Sequence, residues 1–246
     1  SGRGTCIHIL DEGVKLEFLA DIVNSRSQSL LMRVRRLFAL RKYIKTYNPD
    51  LIISFLTNVN NGAIIAAFGL GIPVFVSERT YPPFNNWPIL IFILRKLFYP
   101  FASSVIMQTQ DGVEWLKDSI PNAKGTIIEN PVIYPLPIPS TRDQFNKTSK
   151  IILCVARLSK EKNFDKIIDA FVQIAYKFQD WDLVILGDGP EKKYLKSKIL
   201  DENLVDRIFL IGRSQDPDFW YRRASIFVMY SRFEGFPNAL VEAMSY

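Results

Sequence analysis

Short apolar runs alternate with longer amphipathic stretches along most of the chain. Short runs rich in β-branched and aromatic residues are typical of strands, and apolar residues at helical spacing are typical of helices. In the first half the pattern predicts strands at residues 51–56, 73–77, 104–109 and 125–129, with possible edge strands at 5–10 and 14–19. The predicted helices there are residues 29–47, 60–70, 87–101 and 111–117, the last capped by Asp111.

The second half repeats this alternation. Its predicted strands are residues 151–155, 181–186, 207–211 and 225–230, and its predicted helices are 164–178, 191–202, 218–224 and 238–244. Strands that alternate with helices indicate βαβ units and parallel, doubly wound sheets. Such sheets bind ligands beyond the carboxyl ends of their strands. The pattern therefore predicts an α/β fold with two doubly wound domains.

The boundary between the domains is predicted from a change in composition. Residues 130–139 contain four prolines and break the periodicity, and residues 140–149 are polar. We therefore predict an N-terminal domain at 1–130, a linker at 131–149 and a C-terminal domain at 150–246. Since the chain begins without methionine and stops inside a predicted helix, we expect a fragment truncated at both ends, its first strand missing and its second domain incomplete.

Charge and cysteine content narrow the class of protein. A hydrophobic fraction of 48% with 23% charged residues is typical of a globular chain, and a net charge of +6 favours anionic partners. The two cysteines, Cys6 and Cys154, lie far apart, which argues against a disulfide framework and favours a reducing compartment. We find no signal peptide and no apolar run long enough to span a bilayer.

Residues 225–244 predict a strand, a glycine-containing turn and a helix N-terminus. Backbone N–H groups at such a helix end attract anions such as phosphate. Glu234 lies in the turn and Glu242 on the helix, where carboxylates can accept hydrogen bonds from hydroxyls. Together these features suit a sugar nucleotide, although an ordinary strand, turn and helix with two solvated glutamates is the alternative.

Two features of the first half also suggest ligands. Glu78 and Arg79 follow a predicted strand, where they either face the cleft or form a salt-bridged loop. Residues 29–47 are strongly basic, and residues 87–101 are apolar with aromatics at their ends. Membrane-surface contact is our favoured interpretation of these helices, with a buried helix as the alternative for 87–101. A nucleic-acid-binding protein is disfavoured because leucines interleave with the basic residues and no known nucleic-acid module is found.

The motifs of the second half resemble a known family. Residues 156–164 (ARLSKEKNF), residues 187–190 (GDGP) and residues 234–238 (EGFPN) with Glu242 resemble, in order and spacing, the retaining glycosyltransferases of family 4. The resemblance implies the GT-B fold with two Rossmann-like domains. Residues 77–80 and 130–132 resemble the branch that adds a sugar to a polyprenyl-diphosphate-linked acceptor in bacterial polysaccharide or glycan assembly.

The resemblance also implies roles for individual residues. Arg157 and Lys162 would clamp the donor diphosphate, Glu234 would bind the transferred sugar, and Glu242 would bind the ribose. Glu234, Arg157 and Lys162 together form the implied catalytic set. Glycines are common in the family where this chain has Ala156 and Asn163. The implied donor-binding set is Arg157, Lys162, Gly187, Arg213, Glu234, Gly235, Phe236, Pro237, Asn238, Ala239 and Glu242, and the acceptor-side candidates are Glu78 and Arg79.

The implied reaction needs no metal or other cofactor, because Arg157, Lys162 and the helix end would stabilise the leaving diphosphate. Two Asp-x-Asp strings, at residues 180–182 and 216–218, are interpreted as surface carboxylates rather than metal ligands. His8 is the one histidine, and no catalytic base can be named. A substrate-assisted front-face attack is the expectation for a retaining enzyme.

We therefore expect an enzyme that moves a hexose or N-acetylhexosamine from a nucleotide sugar, with UDP as the expected nucleotide. The acceptor would be lipid-linked, and the protein would work in the cytoplasm, on the inner face of the cytoplasmic membrane. The alternatives are a same-fold transferase acting on a soluble acceptor, of the sucrose or trehalose synthase type, and a catalytically inactive regulatory subunit. The four charged residues at 157, 162, 234 and 242 disfavour the last.

Overall fold

Two parallel β-sheets, one in each half of the chain, organise the fold. The computed structural model describes residues 11–24, 29–82, 88–132, 149–214 and 216–246. The chain divides into two compact units, Ser1–Glu129 and Asn130–Tyr246. The predicted strand at 5–10 and residues 133–148 of the predicted linker lie outside the described residues.

The first unit has one sheet of four parallel strands in the order β1-β2-β3-β4. Its strands are β1 (Ile52–Phe55), β2 (Val74–Ser77), β3 (Ser104–Met107) and β4 (Gly125–Ile127). Its helices are α1 (Leu19–Ile22), α2 (Leu30–Tyr47), α3 (Thr57–Ala67), α4 (Ile89–Phe98) and α5 (Gln110–Ser119). Each connection between neighbouring strands carries a helix, as parallel pairing requires: α3 follows β1, α4 follows β2 and α5 follows β3.

The second unit has a sheet of four parallel strands in the order β7-β6-β5-β8. Its strands are β5 (Lys150–Val155), β6 (Trp181–Leu186), β7 (Ile208–Gly212) and β8 (Ile226–Phe227). Its helices are α6 (Phe164–Ala175), α7 (Lys192–Asp201), α8 (Pro217–Arg223) and α9 (Asn238–Met244). Both faces of the sheet are covered, because α6 and α7 pack in one apolar cluster and α8 packs in another.

Several local predictions are wrong in detail. No strand forms at residues 14–19, where α1 begins instead. Thr109, not Asp111, caps α5, since its hydroxyl accepts a hydrogen bond from the Gly112 N–H at 3.2 Å. β8 is only two residues long and Ile226 is 46% exposed, because within the described sheet this strand has a partner on one side only. Among the described strands β1 likewise pairs on one side only, with β2, and Ile53 is exposed rather than buried.

One buried polar network connects the helices and the sheet of the first unit. Glu78, directly after β2, forms an ion pair with Arg95 of α4, and both side chains are almost fully buried. The Glu78 carboxylate also accepts hydrogen bonds from the hydroxyls of Thr57 and Tyr99. Burial and the Glu78 charge raise the pKa of Tyr99 well above its usual range, so this phenol stays a donor. Arg95 is thus neutralised in the interior, on a helix in which Lys96 is the one other charged residue.

Removing one partner of this pair should destabilise the first unit strongly. Glu78→Ala leaves the Arg95 guanidinium buried and unpaired, which costs about 3–5 kcal/mol. The decrease in the free energy of unfolding is measured by hydrogen exchange of the β2 and β3 amides along a urea titration, which gives an unfolding midpoint for the first unit. Lys15→Ala, which breaks the exposed Lys15–Glu17 pair of the same unit, should leave the midpoint essentially unchanged. Equal midpoints for the two variants would contradict a structural role for the network.

Candidate functional site

The strand order of the second unit creates a crevice beside β5. β6 and β7 extend the sheet on one side of β5, whereas β8 pairs on the other side. Strand order reverses at this point, and open α/β sheets bind their ligands there, beyond the carboxyl ends of the strands. The loops leaving β5 and β8 contact each other at this edge, where the Arg232 N–H donates to the Glu161 carbonyl at 2.8 Å. We refer to this surface at the strand ends as the cleft. These two loops carry the predicted residues Arg157, Lys162 and Glu234. The topology therefore places three of the candidates beside one cleft.

A direct ion pair crosses this cleft. The Lys162 Nζ lies 2.5 Å from the Glu234 Oε1, and the two side chains are 18% and 25% exposed. Because the pair is only partly screened by water, its charges interact more strongly than a surface pair would. The pair joins the loop after β5 to the loop after β8.

Asn163 ties the same two loops together, a role that the sequence analysis did not assign to it. Its Nδ2 donates to the Tyr230 carbonyl at 3.1 Å, and its Oδ1 accepts from the Arg232 Nε at 2.9 Å. Asn163 is 8% exposed and has a φ of 50°, in the left-handed region that asparagine tolerates better than most residues. The signal was present in the sequence, since the family that the motifs resemble often has glycine at this position, and glycine adopts the same φ.

The glycines after β6 allow two loops to approach closely. A Cβ on Gly187, whose φ is 146°, would lie 1.9 Å from the Ala156 carbonyl oxygen. A Cβ on Gly189 would lie 2.3 Å from the Leu158 carbonyl oxygen. Between them, Asp188 accepts a hydrogen bond from the Gly189 N–H, which lowers the pKa of this carboxyl below its usual range. Side chains at both glycines are therefore excluded by backbone atoms.

A pocket of about 390 Å³ lies at the carboxyl ends of β5, β6 and β7. It brings together Arg157, Gly187 and Arg213, three members of the predicted donor-binding set, with the end of β5 and the start of α8. Arg157 and Arg213 are both exposed, so their charges are available to an anionic ligand.

The turn before α9 differs from the prediction in one respect. Pro237 has no N–H, and the Asn238 N–H donates to the Phe236 carbonyl at 2.9 Å, so these two residues offer no free backbone donor in this structure. The side chain of Asn238 accepts a hydrogen bond from the Asn130 Nδ2 at 2.5 Å. Farther along α9, the Glu242 Oε2 accepts from the Tyr221 hydroxyl at 2.8 Å.

Glu78 and Arg79 line a pocket of about 260 Å³ at the carboxyl ends of β1 and β2, but the Glu78 carboxylate has its hydrogen-bond partners inside the protein. Glu78 is 4% exposed and its carboxylate is occupied by Arg95, Tyr99 and Thr57, so the salt-bridged alternative describes it. Arg79 is exposed, with its guanidinium carbon 5.3 Å from the centre of the Phe55 ring. Arg79 therefore stays a candidate, whereas Glu78 serves the interior.

The two Asp-x-Asp strings have structural roles. Asp182 is buried, contrary to the prediction of a surface carboxylate, and its Oδ1 lies 3.0 Å from the Arg207 Nε. Asp216 caps α8 by accepting from the Phe219 N–H at 3.0 Å. Within the ranges that the structure describes, no group of three His, Cys, Asp or Glu side chains is arranged to hold a metal ion.

The second unit is similar to a known protein family. Residues 140–246 match the family described as glycosyl transferases group 1. The match covers the strands, glycines and carboxylates of the cleft described above. The chain spans 57% of the length of an uncharacterized glycosyltransferase of Methanocaldococcus jannaschii, with 25% identity over 86% of this chain.

Relatives with more specific names also match. A Campylobacter jejuni α-1,4-N-acetyl-D-galactosaminyltransferase, named for a diphospho-undecaprenol-linked substrate, is 26% identical over 98% of this chain and 66% of its own length. The amylovoran biosynthesis glycosyltransferase AmsD of Erwinia amylovora is 26% identical over 91% of this chain and 64% of its own length.

Solved glycosyltransferase structures show the same fold. Sucrose-phosphate synthase of Thermosynechococcus elongatus has a TM-score of 0.75 at 18% identity, covering 89% of this chain and 59% of that protein. Anabaena HepE in complex with UDP and glucose has a TM-score of 0.72 at 21% identity, covering 90% and 63% respectively. The predicted fold class, α/β of the GT-B type, is confirmed.

Asn163 allows a matched test of the connection between the loops. Asn163→Gly keeps the left-handed φ but loses both side-chain hydrogen bonds, which should cost about 2 kcal/mol of the free energy of unfolding. Asn163→Ala should cost about 1 kcal/mol more because its Cβ disfavours this φ. Urea unfolding monitored by fluorescence measures both values.

Asn203 provides the control, because it is exposed and has a similar φ of 55°. Asn203→Gly should change the free energy of unfolding by less than about 0.5 kcal/mol. If Asn163→Gly were as stable as the unsubstituted protein, Asn163 would not hold the loops together.

Proposed function

We propose that this protein is a retaining glycosyltransferase of family 4 that transfers a hexose or N-acetylhexosamine from a nucleotide sugar to a polyprenyl-diphosphate-linked acceptor. The observation that carries this proposal is the Lys162–Glu234 pair across the cleft at the point where strand order reverses. Lys162 would bind the diphosphate of a nucleotide sugar, and Glu234 would accept hydrogen bonds from the sugar hydroxyls. The two side chains are adjacent, as the diphosphate and the sugar are in the donor.

Charge development in the reaction explains the composition of the cleft. Cleavage of the bond between sugar and phosphate builds negative charge on the departing diphosphate. Lys162 and Arg157 lie on the loop after β5, where their cations would stabilise that charge. Around α9, the backbone N–H groups of Gly235, Phe236 and Ala239 are the remaining candidates for hydrogen bonds to phosphate.

The ion pair also indicates how the donor would enter. In the structure the Lys162 ammonium is held by Glu234. An ammonium has three donors, so Lys162 can keep its contact with Glu234 while it binds a phosphate oxygen. Glu234 would then have its other oxygen available to accept from hydroxyls of the transferred sugar. On this proposal the ligand adds to the pair and does not have to break it.

We propose UDP as the donor nucleotide and metal-independent catalysis. The UDP complexes of HepE and of the pneumococcal O-GlcNAc transferase GtfA support the choice of nucleotide by analogy. The two side-chain cations, Lys162 and Arg157, would take the place that a divalent metal has in other transferases. The Campylobacter relatives, with names that specify undecaprenol-linked substrates, support the lipid-linked acceptor.

A soluble acceptor is the second candidate. The match to sucrose-phosphate synthase favours it, because its TM-score of 0.75 is as high as that of any structure reported above. The two candidates share the donor site and differ in the first unit, where this chain exposes apolar and basic helices.

Transfer assays with the full protein test the proposal. We expect transfer from one of a panel of UDP-, GDP- and ADP-sugars onto a polyprenyl-diphosphate-sugar, undiminished by EDTA. Arg157→Ala and Glu234→Ala should each lower kcat/KM by about 100-fold or more, because each removes a charge at the reacting group.

Lys166→Ala is the matched control, since Lys166 is exposed one turn into α6 and pairs only with nearby Asp169 at 3.4 Å among its described ion pairs. It should keep kcat/KM within about twofold. Transfer to sucrose-type soluble acceptors without transfer to the lipid-linked one would favour the second candidate. A requirement for a divalent metal would refute the mechanism.

We also propose that the first unit contacts an anionic membrane surface, on the inner face of the cytoplasmic membrane. One face of α2 exposes four apolar side chains, and basic residues flank that face. The apolar side chains are Leu30, Leu31, Val34 and Phe38, and the flanking cations are Arg35, Lys42 and Lys45. A helix with this distribution is suited to lie in a lipid headgroup layer.

Helix α4 supports the same proposal. Ile89, Leu90, Ile93 and Leu97 are between 46% and 78% exposed. Along the described ranges, no helix is both long and apolar enough to cross a bilayer. The proposed contact is therefore an interfacial one.

Vesicle sedimentation tests the membrane contact. The double variant Lys42→Ala, Lys45→Ala should weaken binding to phosphatidylglycerol vesicles by about 30-fold, since each cation near an anionic surface contributes about 1 kcal/mol. Phe38→Ser should weaken binding to the same vesicles through lost apolar burial. Tyr176→Ser, at a residue that is 78% exposed in the second unit, is the control and should bind like the unsubstituted protein. Binding that is equal for anionic and neutral vesicles would contradict the proposal.

A further inference from the structure

Helix α8 connects the pocket at the strand ends with Glu242. Pro217, the first residue of α8, lines the pocket of about 390 Å³. Tyr221 follows four residues later and therefore lies on the same face of the helix, one turn away. Its hydroxyl donates to the Glu242 Oε2 at 2.8 Å. No motif in the sequence pointed to Tyr221, because its significance depends on a contact between two helices.

Packing leaves Tyr221 little freedom. The residue is 6% exposed and belongs to an apolar cluster with Ile151, Leu153, Val184, Leu186 and Trp220. Leu186 also lines the pocket, so the cluster and the pocket share a wall. On its other side the Tyr221 ring stacks on the Tyr246 ring, with centroids 5.3 Å apart and planes 12° from parallel. The position of the hydroxyl is therefore set by the core of the unit.

The protonation state of the Tyr221 phenol is also defined. Burial, followed by the hydrogen bond to Glu242 and the charge of that carboxylate, raises the pKa of Tyr221 well above its usual range. The phenol thus stays protonated and donates at any working pH. Glu242, by contrast, is exposed and lies on a helix of seven residues, where a carboxylate without a partner would sample several rotamers.

We propose that Tyr221 is a positioning residue that holds the Glu242 carboxylate for the ribose hydroxyls of the donor nucleotide. The Tyr221 hydroxyl occupies Oε2, and Oε1 accepts hydrogen bonds from the vicinal 2′- and 3′-hydroxyls. This inference rests on the proposed function, since it assigns a role within the same donor site. It makes discrimination for a ribose diol depend on a tyrosine that touches no ligand.

The test compares nucleotides with and without the diol. Calorimetry first identifies which of UDP, GDP and ADP binds the full protein best, and then measures its Kd beside that of the 2′,3′-dideoxy form. We expect Tyr221→Phe to raise the Kd of the ribonucleotide about fivefold and to leave that of the dideoxy form within about twofold. Tyr176→Phe removes an exposed hydroxyl in the same unit and should change neither Kd.

A double-substitution cycle separates positioning from general destabilisation. In a Glu242→Ala background, Tyr221→Phe should have no further effect on either Kd, because the group that it positions is absent. A purely structural role would lower the melting temperature and weaken both nucleotides equally, and that result would overturn the inference.

The remaining outcomes separate this inference from the proposed function. If the unsubstituted protein prefers the ribonucleotide and Tyr221→Phe keeps that preference undiminished, the inference is overturned and the proposed function stands. If the unsubstituted protein binds none of the three nucleoside diphosphates, the proposed function fails and this inference fails with it.

Discussion

The reversal of strand order around β5 is the constraint on which the candidate site depends. In a parallel sheet every strand ends at the same edge, so each loop that follows a strand contributes to one surface. β5 pairs with β6 on one side and β8 on the other, and β8 comes about seventy residues later in the chain. Lys162 on the loop after β5 consequently meets Glu234 on the loop after β8. The chemistry of the cleft follows from the topology, and the glycines at 187 and 189 allow the loops to approach it closely.

Much of the fold could be predicted because period and composition are local signals. The runs at 151–155 and 181–186 are apolar and short, and both became strands within a residue of the predicted limits. The failures have tertiary causes. Residues 14–19 have the composition of a strand but no strand beside them, and Ile226 is exposed because β8 pairs on one side only among the described strands. Neither circumstance is visible in a local window of sequence.

Site residues that belong to sequence motifs could be predicted. Residues whose role depends on a contact between distant elements could not. Lys162 and Glu234 lie in recognisable strings, and the structure brings them together. Glu78 has the same kind of position after a strand, yet its carboxylate belongs to Arg95, which is a partner seventeen residues away in an apolar helix. A buried cation in such a helix was the available signal, because a charge of this kind requires a counterion. Asn163 and Tyr221 act through contacts with residues more than twenty positions away, which no spacing rule reveals.

The Lys162–Glu234 contact closes a loop of 72 residues. Closing such a loop costs chain entropy before any contact within it compensates, so contacts of this range form late in folding. Strands β6, β7 and β8 and helices α6 to α8 all lie between the two partners in the chain. In a chain that is only partly folded or partly synthesised, the cations of Arg157 and Lys162 are therefore present without the Glu234 carboxylate opposite them. Assembly of the cleft thus reports that the second sheet is complete around β5, and ligand binding would preferentially stabilise chains that have reached that state.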